Sequence, residues 1–190
     1  MAAKRALRQR LRFRRDHFFT GLSDVDRAIV FRAPPRPLLT LFSAAPCVGG
    51  YCARGSEAPV EALLATAAAH GAQTALPHFA DRAAPMRFAA WQPGDPLSDG
   101  PWRVAQPAGA GPWLAPTLLL VPLLGFDRQG GRIGQGAGHY DRYCAAHPAA
   151  LRIGVAWAVQ EVDAVPLAAH DVRLDAVLTE QEWIVTGDRV

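Results

Sequence analysis

The chain has 190 residues, half of them hydrophobic, with 20 Lys and Arg against 17 Asp and Glu for a net charge of +3. That length and apolar content suit one domain, residues 1–190, with a substantial core, and exclude a disordered chain. No apolar run is long enough to span a bilayer. Cys47, Cys52 and Cys144 form no C-x-x-C pair, which fits a reducing cytoplasm better than a disulfide framework.

The charge is uneven: residues 1–36 hold ten Lys and Arg against three acids, and residues 37–190 hold ten against fourteen. Leu7, Leu11 and Phe18 recur at helical spacing and predict a helix over 3–18 with a narrow apolar stripe. Seven of the first fifteen residues are basic, and Lys4 and Arg8, four apart, share one face. The set from Arg5 to Arg15 reads most simply as a solvated helix face. A nucleic-acid surface is the rival reading, but no nucleic-acid motif accompanies it. The basic start is not followed by a hydrophobic stretch, so no secretion signal is expected, and the absence of serine from the first 20 residues speaks against a transit peptide.

Ser23 or Asp24 can cap a second helix, which Pro34-Pro35-Arg36-Pro37 ends. A strand is expected at 38–42 and a loop at 47–56. A helix over 59–70 follows, with Pro59 in its first turn and Gly71 at its end. The next strand is expected at 74–77. Residues 80–116 are rich in Pro and Gly, with Trp91, Trp102 and Trp113 spread through them, and predict short strands and irregular loop lining a cleft. Further strands are expected at 118–121, 151–159 and 175–179, an edge strand at 183–185, and a helix over 141–147. Strands alternating with helices predict an α/β layered sheet with ligands at the strands' C-terminal ends.

The most informative stretch is Val121 to Asp141. A buried strand ends at Pro122, glycines crowd positions 130, 131, 134, 136 and 138, and Tyr140-Asp141-Arg142-Tyr143 can open a helix. Strand, glycine loop and helix bring backbone N–H groups close to phosphate. Gly134-x-Gly136-x-Gly138 is neither the dinucleotide fingerprint nor a Walker loop. Arg132 could contact phosphate. Asp141 could hold Mg²⁺ or meet the helix dipole, and Asp171, after His170, could be a second metal carboxylate or a surface loop acid. His139 could be an acid–base group or a packed histidine. Lys4, the single lysine, could be a phosphate point charge or a solvated terminal residue. Glu57 could hold a heterocycle's amine and ring N–H or serve as a helix-start acid. Met86, Phe88 and Trp91 could wall a flat ligand or fill the core.

These blocks, in this order, resemble the 5-formyltetrahydrofolate cyclo-ligase family. Lys4-Arg5-Ala6-Leu7-Arg8 resembles that family's K-R-x-L-R. Tyr51 to Glu57 resembles its Y-x-x-x-x-x-E loop. Leu76-Pro77 and Met86-x-Phe88-x-x-Trp91 fall where it carries similar pieces. Arg132-Ile133-Gly134-Gln135-Gly136-Ala137-Gly138-His139-Tyr140-Asp141-Arg142 resembles its R-L-G-x-G-x-G-Y-Y-D-R signature. Pro166, His170-Asp171 and Val177 to Glu180 resemble its ending.

The resemblance implies a layered α/β/α fold of the NagB/RpiA/CoA-transferase kind, with the N-terminal basic helix packed near the glycine loop. It implies ATP- and Mg²⁺-dependent closure of 5-formyltetrahydrofolate to 5,10-methenyltetrahydrofolate. Lys4, Arg132 and Asp141 would be catalytic. ATP would meet residues Lys4, Arg5, Ala6, Leu7 and Arg8 and the loop Arg132, Ile133, Gly134, Gln135, Gly136, Ala137, Gly138, His139 and Tyr140. Folate, with or without a polyglutamate tail, would meet Tyr51, Cys52, Glu57, Met86, Trp91 and the loop from Gln135 to His139. Asp141 and Asp171 would hold Mg²⁺. A cytoplasmic monomer without nucleic-acid or membrane partners is expected.

Gln135, Ala137 and His139 depart from the usual Tyr, Gly and Tyr, so Ala137 requires a negative φ. Gln106 replaces a common Glu, and Thr117 a common Asp. A relative acting on another substrate, such as a thiamine-linked compound, is one rival, and a non-catalytic RNA- or partner-binding module is another.

Overall fold

A mostly parallel sheet runs through the middle of the chain. The computed structural model describes residues 2–109, 111–168 and 171–190. In chain order the elements are α1 (Ala2–Gly21), α2 (Asp24–Ile29), α3 (Arg36–Ala44), β1 (Cys47–Gly49), α4 (Glu61–Ala69), β2 (Gln73–His78), β3 (Arg87–Ala90), β4 (Leu97–Asp99), β5 (Ala105–Pro107), β6 (Trp113–Leu114), β7 (Leu118–Pro122), β8 (Gly125–Phe126), β9 (Arg132–Ile133), α5 (His139–Ala146), β10 (Leu151–Val155), β11 (Ala176–Leu178) and β12 (Trp183–Val185).

The main sheet has the order β12-β11-β10-β7-β1-β2-β3-β6. Pairing is parallel from β11 through β10, β7 and β1 to β2. The pairings β11–β12, β2–β3 and β3–β6 are antiparallel. In β7, Leu118 and Leu120 join one core cluster while Leu119 and Val121 join the other. Burial on both faces explains why this strand reads as an unbroken apolar run. The first cluster takes Leu38 and Phe42 from α3 and Leu63 and Leu64 from α4. The second takes Tyr143 and Cys144 from α5. Helices therefore cover both faces, the expected three-layer architecture.

Three expectations fail. Residues 38–42 form part of helix α3, not a strand. A short apolar run flanked by prolines has no period that separates strand from helix. Here Pro37 sits in the first turn, and Leu38 and Phe42, four apart, are both fully buried. Conversely, the expected loop at 47–56 opens with β1, a central strand of the sheet. Three residues, all buried, carry no alternation to detect. Gly49 is required there, because a Cβ would stand 2.7 Å from Pro116 and 2.8 Å from Phe88. The strand expected over 151–159 stops at Val155; residues 158–160 form a 3-10 turn in which Gln160 Oε1 accepts the Trp157 N–H at 2.8 Å.

From β1 the chain crosses through α4 to β2 on one side, while β7 lies on the other side of β1. Such a reversal of strand order opens a crevice at the strands' C-terminal ends.

Candidate functional site

A cavity of about 980 Å³ occupies that crevice. Tyr51 and Cys52 after β1, Pro77 and Phe79 at the end of β2, and Pro122 at the end of β7 all line it. Its volume is at the upper end for small-molecule sites, large enough for two mid-sized ligands side by side.

The glycine loop, residues 134–138, forms one wall and runs into α5. Gly136 and Gly138 have φ of 111° and 68°, values that favour glycine. Ala137, between them, is not among the residues with positive φ, so alanine fits. The first turn of α5 lines the cavity, and the leading N–H groups of a helix have no intrahelical acceptor.

Helix α1 closes another side. Lys4 Nζ pairs with Asp171 Oδ2. Arg8 Nε donates to the Gly134 carbonyl at 2.9 Å, and Arg12 Nη2 donates to Gln135 Oε1 at 2.8 Å. Arg15, 5% exposed, donates from Nε to Ser56 Oγ at 2.9 Å. These four cations follow one another at steps of four, four and three, so they share one helix face. Lys4, Arg8 and Arg15 on that face are turned inward, which corrects the reading of a wholly solvated basic helix, while Arg12 stays exposed as it bonds Gln135. Arg5, Arg10 and Arg14 are exposed as well.

Arg132, buried on β9, pairs through Nη2 with Asp141 Oδ1. Both residues line the cavity, as do Lys4 and Asp171. Two cation–carboxylate pairs thus face one space. Glu57 also faces it. Its Oε2 accepts the Arg54 N–H at 3.0 Å and its Oε1 accepts from Gln135 Nε2 at 3.2 Å. Burial and the Glu57 charge hold the phenols of Tyr51 and Tyr140 well above their ordinary pKa. Both act as donors, Tyr51 to the Ala58 carbonyl at 2.6 Å and Tyr140 to the Gly50 carbonyl at 3.3 Å. Burial, aided by Arg142, holds His139 below its ordinary pKa.

Not every expected residue reaches the cavity. Trp91 lies in the core, its indole N–H donating to the Asp95 carbonyl at 3.1 Å. Met86 lines the cavity, but Phe88 packs in the core against Tyr143. Arg5 and Ala6 are exposed on α1, and Leu7 packs toward Leu11, Leu124, Ile133 and Val165. His170 lies outside the described residues. The aromatic wall is made instead by Phe79 and Trp102, whose rings stand 5.3 Å apart at 89°, with His139 4.8 Å from Phe79. Gln106 supports this wall: it accepts the Phe79 N–H at 3.0 Å and donates to the Phe79 carbonyl at 3.3 Å. Trp102 falls in the stretch read as a cleft lining, but nothing in the sequence separates it from Trp91.

The profile of the 5-formyltetrahydrofolate cyclo-ligase family matches residues 1–180. The chain belongs to that family. A 5-formyltetrahydrofolate cyclo-ligase of Mycolicibacterium smegmatis is 34% identical over 151 residues, covering 73% of this chain and 75% of the relative. One of Mus musculus is 38% identical over 68 residues, a third of each chain. The NMR structure of the 5,10-methenyltetrahydrofolate synthetase of Aquifex aeolicus superposes with a TM-score of 0.71 at 23% identity, covering 98% of this chain and 94% of that one. The enzyme of that name from Mycoplasma pneumoniae gives 0.63 at 18% identity, with 93% and 98% covered. The last two show a shared fold. Among the described residues no helix is long and apolar enough to cross a membrane.

Proposed function

We propose that this protein closes the ring of 5-formyltetrahydrofolate to 5,10-methenyltetrahydrofolate at the expense of ATP. The observation that carries this reading is the convergence on one cavity of the glycine loop, three cations from two distant segments (Lys4, Arg8 and Arg132) and Glu57. Family membership over residues 1–180 supplies the substrate class.

The formyl oxygen of the substrate is a poor leaving group. Attack of that oxygen on the γ-phosphorus forms an O–P bond and releases ADP. The electron pair of N5 conjugates into the activated carbon. N10 then adds to that carbon, loses its proton, and the C–O bond breaks to release phosphate. Phosphoryl transfer needs mainly alignment and neutralised charge. Lys4, Arg8 and Arg132 supply the charge, and the Gly134–Tyr140 loop supplies backbone donors. Glu57 accepts from the amine and ring N–H of the pterin, while Phe79 and Trp102 flank its flat face. Cys52, Tyr51 and Met86 complete the folate side.

Magnesium prefers oxygen ligands and takes one or two carboxylates together with phosphate oxygens. Asp141 and Asp171 fit that donor set, and each is balanced here by a cation that phosphate would attract. Among the described residues no group of three or more His, Cys, Asp or Glu forms a cage, and a shared protein–phosphate site needs none. When bound there, the ion would screen phosphate charge. The inward turn of Lys4, Arg8 and Arg15 favours the enzyme over the RNA-binding module, since those charges are engaged within the protein.

The test is direct. Purified protein is mixed with 5-formyltetrahydrofolate, Mg²⁺ and ATP, and the absorbance of the methenyl product is followed. Growth of that absorbance, dependent on ATP, is expected. A flat trace from folded protein overturns the reading.

A further inference from the structure

Arg15 does not line the cavity, yet it is among the most buried charges in the chain. Burial lowers its pKa, and the nearby Glu57 carboxylate opposes that shift. The guanidinium remains charged all the same. A cation in such a place is costly unless its charge is used. One part of the fork is accounted for: Nε donates to Ser56 Oγ at 2.9 Å, and Ser56 Oγ donates in turn to Asp16 Oδ1. Nη1 is not. It is buried without a hydrogen-bond acceptor and stands 3.7 Å from Glu57 Oε1, inside ion-pair range and outside hydrogen-bond range.

Glu57 is clamped on its other sides by the Arg54 N–H and by Gln135 Nε2. The adjoining backbone is fixed as well, because Trp157 Nε1 donates to the Ser56 carbonyl at 2.8 Å. The carboxylate therefore has a limited set of orientations, and the Arg15 charge selects among them. Geometry and charge meet at a single point: an unspent donor in α1 directed at the one carboxylate assigned to the heterocycle.

We propose that Arg15 is a positioning residue for substrate binding, acting from outside the cavity to hold Glu57 oriented and electrically balanced toward the bound pterin. This rests on the reading of Glu57 as the carboxylate that binds folate. It adds a distinct role for α1. The helix's first two turns, with Lys4 and Arg8, serve the nucleotide side, and its fourth turn serves the folate side.

The test compares Arg15→Met, Arg15→Lys, Glu57→Gln and the double variant Arg15→Met with Glu57→Gln, with thermal melts confirming that each is folded. Arg15→Met should raise KM for 5-formyltetrahydrofolate by about tenfold while kcat and KM for ATP stay within about twofold. Arg15→Lys should restore most of the loss. The double variant should be no worse than Glu57→Gln alone, since the arginine acts only through that carboxylate. If Arg15→Met does not fold, Arg15→Gln, alone and combined with Glu57→Gln, makes the same comparison. Equal rises in both KM values, a lowered melting temperature with unchanged KM, or additive effects in the double variant would overturn the role of Arg15. Absence of product from the unmodified protein would instead overturn the cyclo-ligase reading.

Discussion

Arg8 donates its Nε hydrogen to the carbonyl of Gly134, joining α1 to a loop 126 residues further along the chain. The guanidinium lies against that loop: a Cβ on Gly136 would stand 3.5 Å from Arg8 Cζ. The contact fixes the loop through its backbone and places a positive charge at the cavity wall. A helix whose composition is that of a solvent-facing one is thereby committed to the site.

Arg8→Ala should therefore damage nucleotide use far more than folding. A hydrogen bond to a charged group contributes about 1.5–3 kcal/mol, so apparent KM for ATP should rise roughly 10- to 100-fold. Loss of a partly exposed cation should cost under about 1 kcal/mol of stability. Steady-state rates at saturating folate and a urea melt separate the two. An unchanged ATP dependence would reject phosphate contact by Arg8.

How much of this is legible in the sequence depends on how locally each feature is determined. Leu118 to Val121 announced itself because four consecutive apolar residues must be buried on both sides. The glycine loop, Arg132 and Asp141 stood out because ten residues hold the entire pattern. Strand β1 did not, since Cys47, Val48 and Gly49 offer too few positions for any period. Helix α3 is not legible for a related reason: Leu38 to Phe42 is equally apolar in either conformation, and only its packing against α4 and the sheet decides. Beside the site, the bonds of Arg12 to Gln135 and of Arg15 to Ser56 have no signal in the sequence, because basic residues surround both arginines. That Arg8 and Arg15 turn inward while Arg5, Arg10, Arg12 and Arg14 stay exposed is set by the docking of Leu11 on Leu124, Ile133 and Val165. Trp91 and Trp102 differ in the same way, one drawn into the core and the other left at the cavity.

The thiols offer a chemical check on the cavity. Burial pushes Cys47 and Cys52 up to about 11, with the Glu61 charge adding to the rise at Cys52. Burial raises Cys144 too. At pH 8 a group titrating near 11 is about one part in a thousand thiolate, the reactive form. Cys52 alone of the three is not fully buried, and it lines the cavity. A thiol reagent at pH 8 should modify the native protein slowly and at Cys52 first, as peptide mapping would report. The rate should climb about tenfold per pH unit up to about pH 10, because thiolate increases as pH approaches the raised pKa. Saturating 5-formyltetrahydrofolate should slow the reaction severalfold, and denaturant should expose all three thiols together. Fast labelling of Cys47 or Cys144 in the native protein would contradict the packing described here.

Asp127 shows how the fold carries the site on structural rather than catalytic residues. It is 3% exposed and closes the turn between β8 and β9. Oδ1 accepts the N–H groups of Gln129 at 3.0 Å and Gly131 at 2.7 Å, and Oδ2 accepts that of Val165 at 2.8 Å. The last bond ties the turn to the segment that brings Pro166, Leu167 and Ala168 to the cavity. Asp127→Ala strands three donors at about 1 kcal/mol each, so a loss of about 3 kcal/mol is expected, equivalent to a melting point lower by about 10 °C in a chain of this size. Asp127→Asn keeps the two bonds to Oδ1 but sets an amide N–H₂ against the Val165 N–H, and should cost about 1–2 kcal/mol. Calorimetry on both variants measures the difference. Equal melting points for Ala and Asn would show that the Oδ1 bonds contribute nothing, and would remove Asp127 as the anchor of this wall.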